Sequence, residues 1–519
     1  MCTDDDHQQP KLYVSRYKDI NVNKSAGPDK IPPRVLKENA SQVAKPLYLI
    51  FRKSLDEGKL PEEWKLANIT PIFKNKGSKH QSTNYRPVSL TCVACKLLEK
   101  IIRKHIIHHM KENKLFTEDQ HGFMDGRSCS TNLLATLDKW TDIIDNKGSI
   151  DVIYMDFMKA FDSVPHRKRL HKVKSYGIDG KIYSWLRDFL MLRKQQVVVN
   201  GTPSDKEDVI SGVPQGSVLG PILFVIYIND LIDRVKSDVK IFADDTKLFR
   251  RIDDTSDCIL LQNDLTRLER WAEDWQMRFH PQKCEVLRIG KDHPPYDYTM
   301  KSTDKTYILN IVDEVKDLGV YVDSHLDFDR HCSEMVSKAN RILGTVRRTF
   351  QHIDAVMMVQ LYKSLIRPYL EYGVDVWSPS SKKNINMIES IQRRATKMIP
   401  EISNKSYSER LQILKLPSLV YRRNRGDMIQ VYKYVNNIWD VHDDTFLKPT
   451  EETRTRGHKN KLYKDKWKTT IRGNFFSNRI TNLWNSLPES VIDAESVQEF
   501  KVALDASWEN KEWLYDFNG

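Results

Sequence analysis

The chain has 519 residues, 40% hydrophobic and 29% charged, with 82 Lys and Arg against 70 Asp and Glu for a net charge of +12. That length buries a sizeable core and predicts several subdomains. No apolar run reaches the roughly 18 residues of a membrane-spanning helix, and the acidic start Met1–Asp6 is unlike a secretion signal, so neither a membrane span nor export is expected. The seven cysteines (Cys2, Cys92, Cys95, Cys129, Cys258, Cys284, Cys332) are scattered and odd in number, which fits a reducing compartment.

In chain order, residues 1–20 read as a loose lead-in. Cys92-Val93-Ala94-Cys95 leads into a helical stretch over 96–111. A zinc site needs two more ligands at short spacing, and His105, His108 and His109 lie a turn or more away, so these read as buried helix cysteines. A loop follows over 122–132. Asp151-Val152-Ile153-Tyr154-Met155-Asp156 is a short apolar run ending on an acid, the pattern of a buried central strand. Ser211–Pro221 is a loop dense in Gly, Pro and Ser that opens a helix from Ile222 to about Lys236, with Pro221 in its first turn.

Residues 239–249 alternate in polarity around Phe242-Ala243-Asp244-Asp245, which predicts a β-hairpin with two carboxylates at its tip. Adjacent carboxylates repel, and a site that keeps both ionised supplies divalent cations. The pair alone proves little, because Asp253-Asp254 and Asp443-Asp444 read as solvated loop acids. Asp156, on a second strand, changes the reading. Three such carboxylates can hold two oxygen-ligated metals about 3.5–4 Å apart, the arrangement used for in-line phosphoryl transfer.

Helices rich in Leu, Ile and Arg fill 326–440, and a basic-then-acidic segment fills 441–519. The basic excess is concentrated: 331–480 holds 28 Lys and Arg against 14 Asp and Glu, whereas 481–519 holds 2 against 8. Arg347-Arg348, Arg393-Arg394 and Arg422-Arg423-Asn424-Arg425 therefore predict a phosphate grip in this region. Tyr362, Tyr369, Tyr372 and Trp377, at helical spacing, read as core.

Three segments together carry a resemblance that none carries alone. Asp156-Phe157-Met158-Lys159-Ala160-Phe161-Asp162-Ser163-Val164-Pro165-His166 is similar to polymerase motif A, Ser211–Pro221 to motif B and Phe242–Asp245 to motif C, in that order. The chain resembles the reverse transcriptase of non-LTR (LINE-type) retrotransposons, most of all its Jockey-like and chicken-repeat-like branches. The likeness runs from Lys24-Ser25-Ala26-Gly27-Pro28-Asp29 to Trp484-Asn485-Ser486-Leu487-Pro488, roughly nine-tenths of the chain. Thr455-Arg456-Gly457-His458 and Phe475-Phe476-Ser477-Asn478-Arg479 also look LINE-like.

The resemblance implies an α+β right-hand polymerase fold. Fingers would span 21–135, a palm with an antiparallel sheet 136–325, a helical thumb 326–440 and a C-terminal segment 441–519. It implies an RNA-directed DNA polymerase, a nucleotidyltransferase that extends a DNA primer on an RNA template with deoxynucleoside triphosphates. Asp156, Asp244 and Asp245 would bind two Mg²⁺ ions, or Mn²⁺. Asn84-Tyr85-Arg86-Pro87-Val88-Ser89 is similar to the segment whose arginine touches the triphosphate, which makes Arg86 the candidate and Lys74 a second one. A guanidinium fork suits a polyphosphate, and an Arg before Pro equally suits bracing a turn. Gln215 would lie against the template–primer or the nucleotide base. Phe161 would crowd the sugar 2′ position and favour deoxynucleotides, or else pack in the core.

Lys283, in Phe279-His280-Pro281-Gln282-Lys283-Cys284, falls in a segment similar to motif D and would donate a proton to the leaving pyrophosphate. Asp317-Leu318-Gly319-Val320 is similar to the primer grip, with an acid where the family usually has an aromatic. Met158 also departs from the usual small or basic residue. Gly319, Arg347, Arg348, Arg393 and Arg394 would hold the primer–template. Because Lys24–Asp29 begins so early, the family's upstream endonuclease is expected to be absent and any nicking of target DNA to come from another chain. The expected location is intracellular, in cytoplasm and nucleus, as an RNA–protein particle. The alternative reading is a catalytically inert or domesticated nucleic-acid-binding remnant of a mobile element.

Overall fold

The structure, a computed structural model, describes residues 17–302, 305–441, 446–450 and 458–517. Most of the lead-in, Asp443-Asp444 and Thr455-Arg456-Gly457 lie outside the described residues. The fold is α+β. It divides into two densely packed units, each discontinuous in sequence, that cut across the contiguous ranges expected for fingers and palm. One is drawn from residues up to Phe123, Asp156–Val235 and Thr266–His280, the other from Met124–Met155, Lys236–Leu265 and Pro281 onward. No described helix is long and apolar enough to cross a membrane.

The first unit holds a small sheet. Its strand Leu66–Phe73 pairs antiparallel with Tyr85–Leu90 and parallel with Lys194–Val199. The same unit holds the helix Gly220–Ile228, whose sequence GPILFVIYI is apolar all round and therefore buried all round. It stops at Ile228, short of the expected Lys236. Asn229 ends it by turning its amide to the backbone, accepting from Thr117 N–H at 2.9 Å and donating to the Leu115 carbonyl at 2.7 Å. The start of the helix has its own device. The fully buried Glu99 carboxylate accepts from Val218 N–H at 2.7 Å and Leu219 N–H at 3.0 Å, satisfying donors a helix start leaves orphaned. Burial pushes the Glu99 carboxyl up, and those two N–H groups pull it back. Cys95, one helix turn before Glu99, and Cys92, at the start of the same helix, are fully buried.

The second unit is built on a five-stranded sheet of β1 (Ser149–Met155), β2 (Asp238–Phe242), β3 (Asp245–Ile252), β4 (Glu285–Ile289) and β5 (Asn310–Val312), in the order β5-β4-β1-β3-β2. All pairs are antiparallel except the edge pair β4–β5. Every β1 side chain but Tyr154 is buried, as a central strand covered on both faces requires. Asp151 is tolerated there because Tyr298 Oη donates to it at 2.7 Å and His293 Nδ1 lies at 2.8 Å. Helix α1 (Cys129–Asp145) packs Leu133, Leu137 and Trp140 into one cluster with Ile150, Val152 and Phe249.

A second hairpin, β6 (Glu314–Asp317) with β7 (Val320–Asp323), precedes the helices α2 (Asp329–Thr349), α3 (Lys382–Lys397) and α4 (Leu419–Val435). The hydrophobic cluster that begins at Leu133 runs on through these helices to Phe476, Trp484, Phe500 and Trp508. The segment beyond 440 thus shares a core with the helices before it. Acids on both sides of residue 440 also account for a cluster expected to grip phosphates. Asp505 accepts from Arg425 Nη2 at 2.7 Å, Glu371 takes Arg422 through two bonds of 2.7 and 2.9 Å, and Arg423 is buried. Arg422, Arg423 and Arg425 are internal ties, a correction to the expected grip. Phe475 and Phe476 are core, and Arg479 binds Asp427 at 2.9 Å, so that LINE-like signature is packing. Tyr362 and Trp377 are buried as expected, whereas Tyr369 and Tyr372 are 46% and 47% exposed.

His331, on α2, ties that helix to β7. Its buried ring accepts the Tyr321 N–H on Nδ1 at 3.1 Å, which only an imidazole unprotonated at that nitrogen can do. Burial, with help from Lys338 and Lys316, pulls its pKa down to about 4. A depressed histidine pKa gives stability that is complete above the unfolded-state value near 6.5 and is lost as pH falls toward 4, by up to about 3 kcal/mol. The thermal midpoint should therefore drop faster between pH 7 and 4.5 in the parent than in His331→Asn, which keeps an acceptor but cannot titrate. Equal slopes would contradict this role.

Candidate active site

The register of β2 and β3 pairs Phe242 with Asp245, which leaves Ala243 and Asp244 as the whole turn. Two-residue hairpin turns match the twist of the strands when the first central residue has positive φ, a place usually held by Gly. Here Ala243 takes it, buried, at φ 56°. That costs an L-residue about 1–2 kcal/mol, and strain of this kind gathers at functional sites. Asp244 sits half-buried in the turn, and Asp245 opens β3 and is exposed. On the neighbouring strand Met155 faces Thr246, and the next residue of the chain is Asp156.

In the first unit, the backbone around Asp156 runs beside the segment 278–280. The Asp156 carbonyl accepts from His280 N–H at 2.8 Å, Met158 N–H donates to Arg278 at 2.7 Å, and Phe157 stacks on Phe279 at 4.3 Å. In the second unit, Lys283 ends the short turn Pro281–Lys283 and is exposed. Phe161, half-buried in the turn Ala160–Ser163, stacks on the buried Phe224 at 4.5 Å.

The motif B loop is bonded to that same turn. Ser211 Oγ donates to the Asp162 carbonyl at 2.8 Å, and Gln215 Nε2 donates to Asp162 Oδ1 at 2.8 Å. Ser89 N–H in turn donates to the Gln215 carbonyl at 2.7 Å. Gly216 follows at φ 122°, where a Cβ would meet Ser89 O at 2.7 Å, so only glycine fits. Asp162, Gln215, Pro87, Arg193 and Asp208 edge a cleft of about 350 Å³. Asp162, a second acid inside the segment similar to motif A, thus orients Gln215. Arg86 is exposed on its strand opposite Ile72, and Lys74 Nζ donates to the Thr83 carbonyl at 2.9 Å, bracing the intervening loop.

In the second unit, Asp317 points inward. Its carboxylate accepts from Lys247 Nζ at 2.5 Å and from Tyr154 Oη at 3.3 Å, and the two charged side chains are 4% and 6% exposed. Tyr154 lies directly across from Lys247 in the sheet, and Lys247 is two residues on from Asp245. The pair therefore bolts the β6–β7 hairpin, with Gly319 in its turn, to the strand that carries Asp245. Burial pulls the Lys247 ammonium below its ordinary range, and Asp317 opposes that. Farther along, Arg347, Arg348, Arg394 and Lys397 line a groove of about 930 Å³. Arg393 is not with them; its guanidinium lies over the rings of Tyr407 and Phe517, 5.2 Å from each. Among the described residues no group of three or more His, Cys, Asp or Glu is gathered closely enough to hold a metal ion unaided.

Removing one partner of a buried ion pair leaves the other uncompensated, at about 3–5 kcal/mol, while replacing both with apolar groups is often neutral. Asp317→Asn should thus lower the urea midpoint of the second unit strongly, and Lys247→Met with Asp317→Leu should restore most of it. A single variant as stable as the parent would show that the pair is not buried as described.

Residues 74–322 match the family described as Reverse transcriptase (RNA-dependent DNA polymerase), a span that holds Asp156, Phe161, Gln215, Asp244 and Asp245. The chain is 26% identical over 468 residues to the RNA-directed DNA polymerase from mobile element jockey of Drosophila melanogaster, covering 83% of this chain and 47% of that protein. It is 26% identical over 469 residues to the protein of the same description from Drosophila funebris, covering 85% and 48%. It is 23% identical over 445 residues to the Retrovirus-related Pol polyprotein from type-1 retrotransposable element R1 of Bradysia coprophila, covering 80% and 42%. The chain spans about half the length of these curated relatives or a little less. With the carboxylate hairpin, the glycine-bearing loop and the matched span in agreement, residues 74–322 form a reverse transcriptase domain, and most of the chain is similar to the RNA-directed DNA polymerases of non-LTR retrotransposons.

Proposed function

We propose that this chain is an RNA-directed DNA polymerase that extends a DNA 3′-hydroxyl on an RNA template. The observation that carries the reading is the strand register: Phe242 opposite Asp245 and Met155 opposite Thr246 put a two-carboxylate turn beside the strand end that leads into Asp156. Reverse transcriptases use divalent metal ions. Asp156, Asp244 and Asp245 offer only anionic oxygen, the donor type a hard cation takes, and Mg²⁺ usually fills the rest of its shell with substrate phosphates and water. A protein cage closed on its own is therefore not required. Mg²⁺ bound there supplies charge neutralisation and Lewis acidity at the reacting oxygens.

The remaining roles rest on the resemblance of their segments. Arg86 and Lys74 would pair with the triphosphate. Gln215, oriented by Asp162, would lie against the base, and Phe161, backed by Phe224, would close the sugar pocket at the 2′ position. Lys283 would hand a proton to the departing pyrophosphate. Arg347, Arg348 and Arg394, which line one groove, would hold backbone phosphates of the template–primer duplex, with Arg393 excluded by its ring contacts.

The test is extension of a DNA primer on an RNA template with deoxynucleotides and Mg²⁺. The parent should extend, and Asp244→Asn should fall to background while duplex affinity, set by phosphate contacts, stays within about twofold. Extension by Asp244→Asn near the parent rate would overturn the assignment.

A further inference from the structure

Arg169, on the helix His166–Ser175, is fully buried and almost unpaired. Its Nη1 donates to the Gly212 carbonyl at 2.7 Å, while Nε and Nη2 are buried and meet no protein acceptor. Burial pulls the guanidinium down to about 9, and what opposes this is the Tyr227 hydroxyl rather than a carboxylate. A cation kept dry with no acid beside it is costly, and an apolar side chain of similar size would fill the space without that cost. Stability gives no reason for an arginine here. Its one bond does.

That bond ends a chain of contacts that begins at Phe161. The Gly212 carbonyl also lies 3.0 Å from His166 Nε2, and because a carbonyl only accepts, that nitrogen carries the proton. Two side chains three residues apart on one helix face thus clasp the same oxygen. On the far side of the same peptide unit, Val213 N–H donates to the Phe161 carbonyl at 3.0 Å. Gly212 N–H donates to the Val164 carbonyl at 2.9 Å. With Ser211 on the Asp162 carbonyl, the loop therefore bonds three carbonyls of the segment that carries Phe161. Gly212 makes this approach possible: at φ 76°, a Cβ there would meet the Phe161 carbonyl oxygen at 2.7 Å. A charged donor on a carbonyl makes the N–H of the same peptide a better donor, so Arg169 strengthens the bond to Phe161. The Phe161 ring rests on Phe224, and its backbone rests on this strut.

We propose that Arg169 is a positioning residue for Phe161, clasping the Gly212–Val213 peptide so that the ring stands where it excludes a 2′-hydroxyl on the incoming nucleotide. This rests on the polymerase reading above, with Phe161 as the wall of the sugar pocket. Arg169 meets no substrate and acts only through the ring. Its loss should therefore change the choice of sugar.

The first measurement is of binding, which needs no turnover. The full chain is assembled with RNA template and a dideoxy-terminated DNA primer, and Kd is measured for the next ribonucleoside triphosphate and for its deoxy form. Arg169→Met should lower the ratio of the two about tenfold, through tighter ribonucleotide binding, as a small misplacement of a positioned group does. A smaller fall in the same direction is expected of Arg169→Gln, which removes the charge and keeps an N–H donor, and which stands in if the Met variant does not fold. Arg169→Lys, whose ammonium can reach the same carbonyl, should keep most of the parent's ratio. Phe161→Ala should lower the ratio at least as far as Arg169→Met, and the two together should lower it no further than Phe161→Ala alone.

A ratio that neither Arg169→Met nor Arg169→Gln changes, or a double variant in which the two falls multiply, would overturn the proposal. A ratio that Phe161→Ala leaves unchanged would remove the sugar wall and the strut with it. Extension of a hydroxyl-ended primer separates the readings. A parent that shows these binding ratios but never extends refutes the polymerase alone, and one that extends while Arg169→Met keeps the parent's ratio refutes the strut alone.

Discussion

Two ionised carboxylates on successive residues repel, and the structure around Asp244 and Asp245 exists to hold them together. Like charges about 4 Å apart near a protein surface cost roughly 4 kcal/mol, more than the roughly 1–2 kcal/mol stored in a left-handed alanine. The turn can therefore be forced by the sheet. Register does the forcing. β3 pairs with β1 from Thr246 to Ile252 and, at its start, with β2, so Asp245 cannot slide by one residue without exchanging the side chains packed on the two faces of the strand.

Around that constraint, buried polar contacts set positions. Glu99 fixes the start of the Gly220–Ile228 helix, Asp162 fixes Gln215, and Lys247 fixes the hairpin that carries Gly319. A buried pair of this kind is weak evidence for stability, because desolvation offsets much of the attraction. What it does provide is a single geometry, since a shifted partner would leave a charge or an amide unpaired in a dry interior. The pattern suits a site that must be kept open for a large substrate and still hold its groups in register.

Much of this was legible in the residues. The alternation over 239–249 gave the hairpin, the apolar run before Asp156 gave the central strand, and the Gly, Pro and Ser of 211–221 gave the loop and the helix start. What was not legible depended on partners far away in sequence. Glu99 and Val218 are 119 residues apart, and Lys247 and Asp317 are 70. Counting charges locally made Arg422 and Arg425 look available, because Asp505 lies 80 residues beyond Arg425. Helical spacing put Tyr372 with Tyr362 in the core, and spacing alone cannot see that a glycine turn from another element takes up only one side of its ring. The end of the helix at Ile228 was missed for a related reason: a continuous apolar run carries no period, and the stop is set by what Asn229 bonds.

The proposal that depends most on this geometry is one oxygen-donor site for two divalent ions, formed by Asp156, Asp244 and Asp245. It is tested most directly by counting ions. Mn²⁺ can be titrated, with electron paramagnetic resonance as the readout, into the chain assembled with RNA template, a dideoxy-terminated DNA primer and the next nucleotide. The account predicts two ions per complex, as a two-metal site requires, and fewer in both Asp156→Asn and Asp244→Asn. A count of one or none in the parent, or a count that neither substitution changes, would contradict it.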